Sequence, residues 1–78
     1  MDTQINLFPN PIISEVCISI DKNQKIKLVE IYDLYGVRKE FISINANQIV
    51  LVNLISGIYF MKVSLEDGRT FTKKFQKI

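Results

Sequence analysis

Apolar side chains recur at every second position along most of this chain. A period of two marks half-buried β-strands, whereas an amphipathic helix repeats about every 3.6 residues. In Glu15–Ile20 the residues Val16, Ile18 and Ile20 share one face. In Lys27–Tyr32 the shared face carries Val29 and Ile31. The longest run, Ile58–Leu65, aligns Tyr59, Met61 and Val63, and Thr70–Gln76 aligns Phe71 with Phe75. Shorter runs at Ile5–Phe8, Val37–Ser43 and Gln48–Val52 complete the set. Between them lie breakers: Asp21–Lys25, Asp33-Leu34-Tyr35-Gly36, Asn45-Ala46-Asn47, Leu54–Gly57 and Glu66–Arg69. Gly36 supplies a residue free to take positive φ, and Asp67-Gly68 suits a type I′ hairpin turn. No stretch has a competing helical period.

Strands in this number, with turns about every 8–12 residues, predict an all-β fold: an immunoglobulin-like antiparallel β-sandwich of about seven strands. Two places break the alternation. Val50 and Val52 are apolar where a solvent face should be polar. Lys73 has the same parity as Phe71 and Phe75, so the last strand is expected either to be bulged or to lie at a sheet edge.

With 78 residues the chain makes one small domain with a thin core. Its 47% hydrophobic and 23% charged content is that of a folded chain, not a disordered one. The formal charge of +2 is too small to point to nucleic acid. The charge is uneven, however: Arg69, Lys73, Lys74 and Lys77 crowd the end with no acid among them. Such lysines either blunt an edge strand against aggregation or form a recognition patch.

Candidate chemistry is sparse. A single cysteine, Cys17, leaves no internal disulfide, and the absence of histidine removes most zinc and acid–base arrangements. The acids Asp21, Asp33 and Asp67 are scattered over turns. Asp33 and Asp67 have oxygens for calcium, but that ion takes about 6–8 of them, and hydrogen bonding within their own turns is the competing role. Tyr32 and Tyr35 are candidates for stacking on a sugar or base. The glycines stand singly at turns, so no phosphate loop is present. Neither an enzyme nor a bound cofactor or metal is expected. No apolar run approaches the roughly 18–20 residues of a membrane-spanning helix. The opening Met1-Asp2-Thr3-Gln4 is not a secretory leader, and Met1 reads as a start placed on a piece of a longer chain.

Four stretches carry a resemblance to a known family. They are Leu7-Phe8-Pro9-Asn10-Pro11, then Val29-Glu30-Ile31-Tyr32-Asp33-Leu34-Tyr35-Gly36, then Leu54–Val63 (LISGIYFMKV), and last Lys73-Lys74-Phe75. In this order and spacing the chain resembles the C-terminal sorting domain of type IX secretion cargo, type A. Phe8 replaces the usual tyrosine of that pattern, and Ile55 replaces the usual proline. The resemblance implies an immunoglobulin-like fold of seven strands. It also implies a Gram-negative export address, fused behind a cargo domain and read by an outer-membrane translocon after passage through the periplasm. A sortase-like protease then removes the domain, and the cargo is secreted or attached to the cell surface. The main alternative is an immunoglobulin- or fibronectin-like adhesion or carbohydrate-binding module of an extracellular protein; a purely structural appendage is a third reading.

On this reading residues 1–5 are a linker or cloning remnant and residues 6–78 the sorting domain. Lys73, Lys74, Phe75 and Lys77 are the candidate translocon contacts, through strand addition or an acidic groove. Pro9, Asn10, Pro11, Asp33, Gly36, Gly57 and Tyr59 are motif residues with mainly structural roles, Tyr59 in the manner of a tyrosine corner. The lysine-bearing edge is also the expected place for any self-association through strands. Both prolines of the chain fall in the LFPNP stretch. Each fixes its own φ and pushes the residue before it toward extended geometry. The stretch is expected to be a short edge strand that ends its own ladder and holds the preceding linker within a protease's reach.

Overall fold

The computed structural model describes residues 5–9, 11–21, 23–45 and 47–78. The alternating runs become eight strand segments: β1 (Asn6–Phe8), β2 (Glu15–Ser19), β3 (Ile26–Asp33), β4 (Arg38–Lys39), β5 (Phe41–Asn45), β6 (Gln48–Leu51), β7 (Gly57–Leu65) and β8 (Thr70–Lys77). They form two four-stranded sheets, ordered β1-β2-β6-β5 and β4-β3-β7-β8. Every pairing between these strands is antiparallel. This is the A-B-E-D and C′-C-F-G order of an immunoglobulin sandwich. The run Val37–Ser43 is one strand in sequence but two in space. It pairs with β3 up to Lys39 and, past Glu40, pairs with β6 in the other sheet.

The core follows parity. Val16 and Ile18 from β2 and Ile49 and Leu51 from β6 face Ile31, Tyr59, Met61, Val63, Leu65 and Phe75 of the opposite sheet. Ile5 and Ile12, on either side of the LFPNP stretch, are buried with them. Ile5, which the motif pattern assigns to the linker, is thus part of this core; residues 1–4 of the expected linker lie outside the described residues. The apolar Val50 lies on the outer face as its parity predicts, opposite Ile42 of β5, with Ile49 and Leu51 inward.

Of the two alternatives for the last strand, a bulge or a sheet edge, the edge holds: β8 ends the order β4-β3-β7-β8, and β7 and β8 keep an unbroken register from Gly57↔Lys77 to Ser64↔Thr70. Lys73 is tolerated on the core-facing side because β8 is an edge strand, where a long side chain reaches solvent past the rim. The β7–β8 hairpin is not a type I′ turn, which needs positive φ at both central residues. Gly68 has φ 95° and Asp67 is not left-handed. The Leu65 amide donates to the Arg69 carbonyl, closing a three-residue loop with glycine at its left-handed position.

Candidate functional site

The cationic end of the chain is the outer strand of its sheet. Phe75 is 7% exposed and stacks on Tyr59, ring centroids 5.8 Å apart at 26°. Its side chain belongs to the core. Lys73 and Lys74 are exposed and, one residue apart, leave the sheet on opposite faces. The half-buried Lys77 donates from Nζ to the Ile78 carbonyl, 3.2 Å away. Among the described residues none of the three lysines is in an ion pair; those pairs join Lys39 to Asp33 and Arg69 to Asp67.

The far side of β8 is partly covered by a segment that the period-two reading does not detect. After Phe8 the chain leaves the first sheet, and Ile12 pairs with the end of β8 in parallel sense. The Ile12 amide donates to the Gln76 carbonyl and the Ile78 amide donates to the Ile12 carbonyl, both at 2.9 Å. The adjacent pair Ile12-Ile13 behind a proline shows no period of two, so only the prolines themselves hinted that the chain changes direction here. By the alternation of an antiparallel ladder, Thr72 and Lys74 present their backbone groups on the same side as Gln76. Ile5, Leu7, Pro9 and Ile12 on one bank and Lys73, Lys74 and Phe75 on the other line a groove of about 180 Å³ between the sheets. The Phe8–Pro9 bond is cis. Asn10 lies outside the described residues, and Pro11 is exposed.

The middle motifs build a second region at the same end of the sheet. Asp33 organises the β3–β4 turn: Oδ1 accepts from the amides of Tyr35 and Val37, both at 2.9 Å, while Oδ2 lies 3.4 Å from Lys39 Nζ. Those bonds, the Val37 amide foremost, hold the carboxyl below its ordinary pKa. The Gly36 amide donates to the Asp33 carbonyl, and Gly36 takes φ 81°. A larger residue there meets no neighbour, so the requirement for glycine is backbone conformation alone. Across the turn, the buried Tyr59 hydroxyl donates to the Ile55 carbonyl at 2.7 Å. This tyrosine-corner geometry ties the β6–β7 corner to the sheet. Gly57 opens β7 opposite Lys77. Leu34, Tyr35 and Ile55 are exposed around a shallow pocket of about 190 Å³. Asp67 is occupied elsewhere, its oxygens taken by Arg69 at the opposite end of the sheet.

The four motifs, far apart in sequence, form one band. Asp33 pairs with Tyr59, and Tyr59 pairs with Phe75, so three motifs contribute to a single cross-strand row. The row ends at β8, where Phe75 meets the groove lined by Pro9 of the first motif. Among the described residues no group of three metal-ligating acids or cysteines comes together.

Fold and band together define a small immunoglobulin-type module whose built features are a turn, a corner, a strap and a cationic edge. The chain matches the family model of the secretion-system C-terminal sorting domain over residues 6–77. It belongs to that family, and such a domain is a type IX secretion C-terminal sorting signal. The family is not one of enzymes. It implies a cargo fused on the N-terminal side, the type IX machinery, and a secreted or cell-surface protein. No curated protein matches the chain, and no solved structure does.

Proposed function

We propose that this domain is a folded, cleavable export address whose readable part is β8. The cargo reaches the periplasm with the domain attached, and the outer-membrane translocon captures the outer edge of β8 through Lys73, Lys74 and Lys77. A sortase-like protease then cuts on the N-terminal side of the packed body, and the cargo is released or attached to the surface. The observation that carries this reading is an edge strand whose lysines have no acidic partner among the described residues. Outward-facing backbone groups admit strand addition, and the uncompensated charge selects an acidic acceptor.

The test fuses the full chain, with the buried Ile5 kept, to an inert periplasmic reporter in a host that has the machinery. The reporter should appear on the surface or in the medium. The Lys73→Glu/Lys74→Glu/Lys77→Glu variant should keep its thermal midpoint within a few degrees and leave the reporter in the periplasm. A wild-type fusion that stays periplasmic defeats the sorting reading. Export undiminished by the three glutamates defeats the role given to β8. One observation favours a second reading, an adhesion or carbohydrate-binding module: Tyr35 is 92% exposed beside the exposed Leu34 and Ile55. Glycan binding that is lost in Tyr35→Ala would carry it.

A further inference from the structure

We infer that the domain self-associates through β5, two copies pairing antiparallel along that strand into one continuous sheet. A two-sheet sandwich has four edges, here β1 and β5 in one sheet and β4 and β8 in the other. Exposed edges invite pairing and are usually blunted by shortness, proline, charge or a covering segment. Three of the four carry such devices. β1 runs into Pro9 directly after Phe8, and β4 is Arg38–Lys39 alone. β8 carries Lys73, Lys74 and Lys77, and Ile12 covers its end.

β5 lacks them over Phe41–Ser43. The strand holds no charge and no proline, and its Ile42 and Ile44 are 57% and 54% exposed. A register shift between Ser43 and Asn45 ends the straight part there. The backbone of that part is correctly turned. Asn47 and Leu51 of β6 bond to β2 through the Ile18 amide and the Ser14 carbonyl, so Gln48 and Val50 face β5. Ile42, opposite Val50, therefore faces inward to β6, while Phe41 and Ser43 direct their N–H and C=O groups to the open side.

The occupant that fits is a second copy of this chain. With the two-fold axis at Ile42, Phe41 exchanges hydrogen bonds with Ser43 of the second copy, and the reverse. Ile42 then meets Ile42 on the outer face, extending the apolar strip already made with Val50. No charge opposes a like charge in this register: Glu40 falls opposite Ile44. The same operation on β8, centred on Lys73, sets lysine against lysine. Between these two edges, the one without charge, and with no covering segment among the described residues, is therefore β5 and not the lysine edge. Since β1 and β5 are the two ends of one sheet, the groove beside β1 and the whole of β8 stay open in the pair. The inference stands independently of the export reading.

Sedimentation across a concentration series into the millimolar range should show the mean mass of wild type rising toward twice the monomer. Ile42→Lys should stay monomeric throughout with its melting temperature unchanged. Crosslinking fixes the register. The Ile42 pair is non-hydrogen-bonded, with Cα atoms about 4.5 Å apart, inside the roughly 4.4–6.8 Å that a disulfide spans. On oxidation, Cys17→Ser/Ile42→Cys should give a covalent dimer and Cys17→Ser/Thr72→Cys on β8 should not. A wild type that remains monomeric across the series overturns the inference. So does a dimer that survives Ile42→Lys, or one that crosslinks through position 72 and not 42.

Discussion

Removing one oxygen from Tyr59 isolates the corner that holds β7 in place. In Tyr59→Phe the ring keeps its place against Phe75 and its burial at 4% exposure, while the hydroxyl donating to the Ile55 carbonyl disappears. A hydrogen bond of this kind contributes about 0.5–1.5 kcal/mol net. The carbonyl left behind belongs to Ile55, which is 81% exposed, so water can take the vacated position and no large penalty for a buried unpaired acceptor is added. About 1–1.5 kcal/mol is therefore expected. Unfolding entropy is about 2.1 cal/mol/K per residue, so a chain of 78 residues changes its stability by about 0.16 kcal/mol per kelvin near the midpoint. The loss corresponds to a fall in Tm of about 6–9 °C. Circular dichroism melts and urea titrations measure it, with the urea m-value unchanged because the exposed area on unfolding is the same. A shift of less than about 2 °C would refute the bracing role of the hydroxyl. A full shift with export of a fused reporter intact at a temperature where the variant is folded would place Tyr59 in the scaffold. Loss of export from the folded variant would place it in the recognition surface instead.

Three further perturbations probe the same band. Asp33→Asn should melt below wild type at neutral pH, with the gap closing as pH falls: the native carboxyl titrates below its ordinary pKa of about 3.9, so its stabilisation is complete above that value and is lost through the lower native one. Melts from pH 7 to pH 2 check this, and Asp67, present in both proteins, cancels in the difference; a gap independent of pH would remove the charge from the account. Met61→Ala deletes a side chain with 0% exposure between the sheets and should cost about 2–5 kcal/mol, a large share of the roughly 4–12 kcal/mol expected for a domain of this size, so urea should unfold it at a far lower midpoint. Pro11→Ala acts through the unfolded chain and should cost about 0.4–1 kcal/mol, or about 2–6 °C in Tm, while leaving the Ile78 amide as protected from hydrogen exchange as in wild type.

Parity along the chain was sufficient to place most of the core, even where, as for Tyr59 between Ile58 and Phe60, the flanking residues are apolar too. Val16, Ile18, Ile31, Tyr59, Met61 and Val63 face inward as their spacing predicts. The signal failed where its physical basis was missing. The change of sheets at Glu40 is invisible to a period-two pattern, since Arg38-Lys39-Glu40 holds no apolar residue from which a face could be read and only the identity of the partner changes. The β7–β8 turn was misread because Asp-Gly fits a two-residue loop and the αL position of a three-residue loop equally well. Ile12 was unreadable as structure because its role depends on β8, more than sixty residues away in the chain.

That last contact clarifies how scaffold and address divide within one band of motifs. β8 cannot be peeled off for reading without breaking its whole ladder with β7, from Gly57↔Lys77 to Ser64↔Thr70, so a reader that preserves the fold must use the free side. On that side the strap through Ile12 already occupies Gln76 and Ile78. The prolines of LFPNP make this possible in a short distance: lacking amide protons, Pro9 and Pro11 cannot donate to a ladder in either sheet, and the chain leaves β1 at Phe8 and reaches β8 by Ile12. What the strap leaves uncovered is the stretch around Thr72–Lys74, flanked by the groove and by exposed lysines. Asp33, Gly36, Gly57 and Tyr59 hold the sheet that supports this stretch, and the strap sets how far along it another strand can extend. On the proposed reading of β8 as the part that is read, the pentapeptide limits the length of edge on offer and the lysines supply its charge.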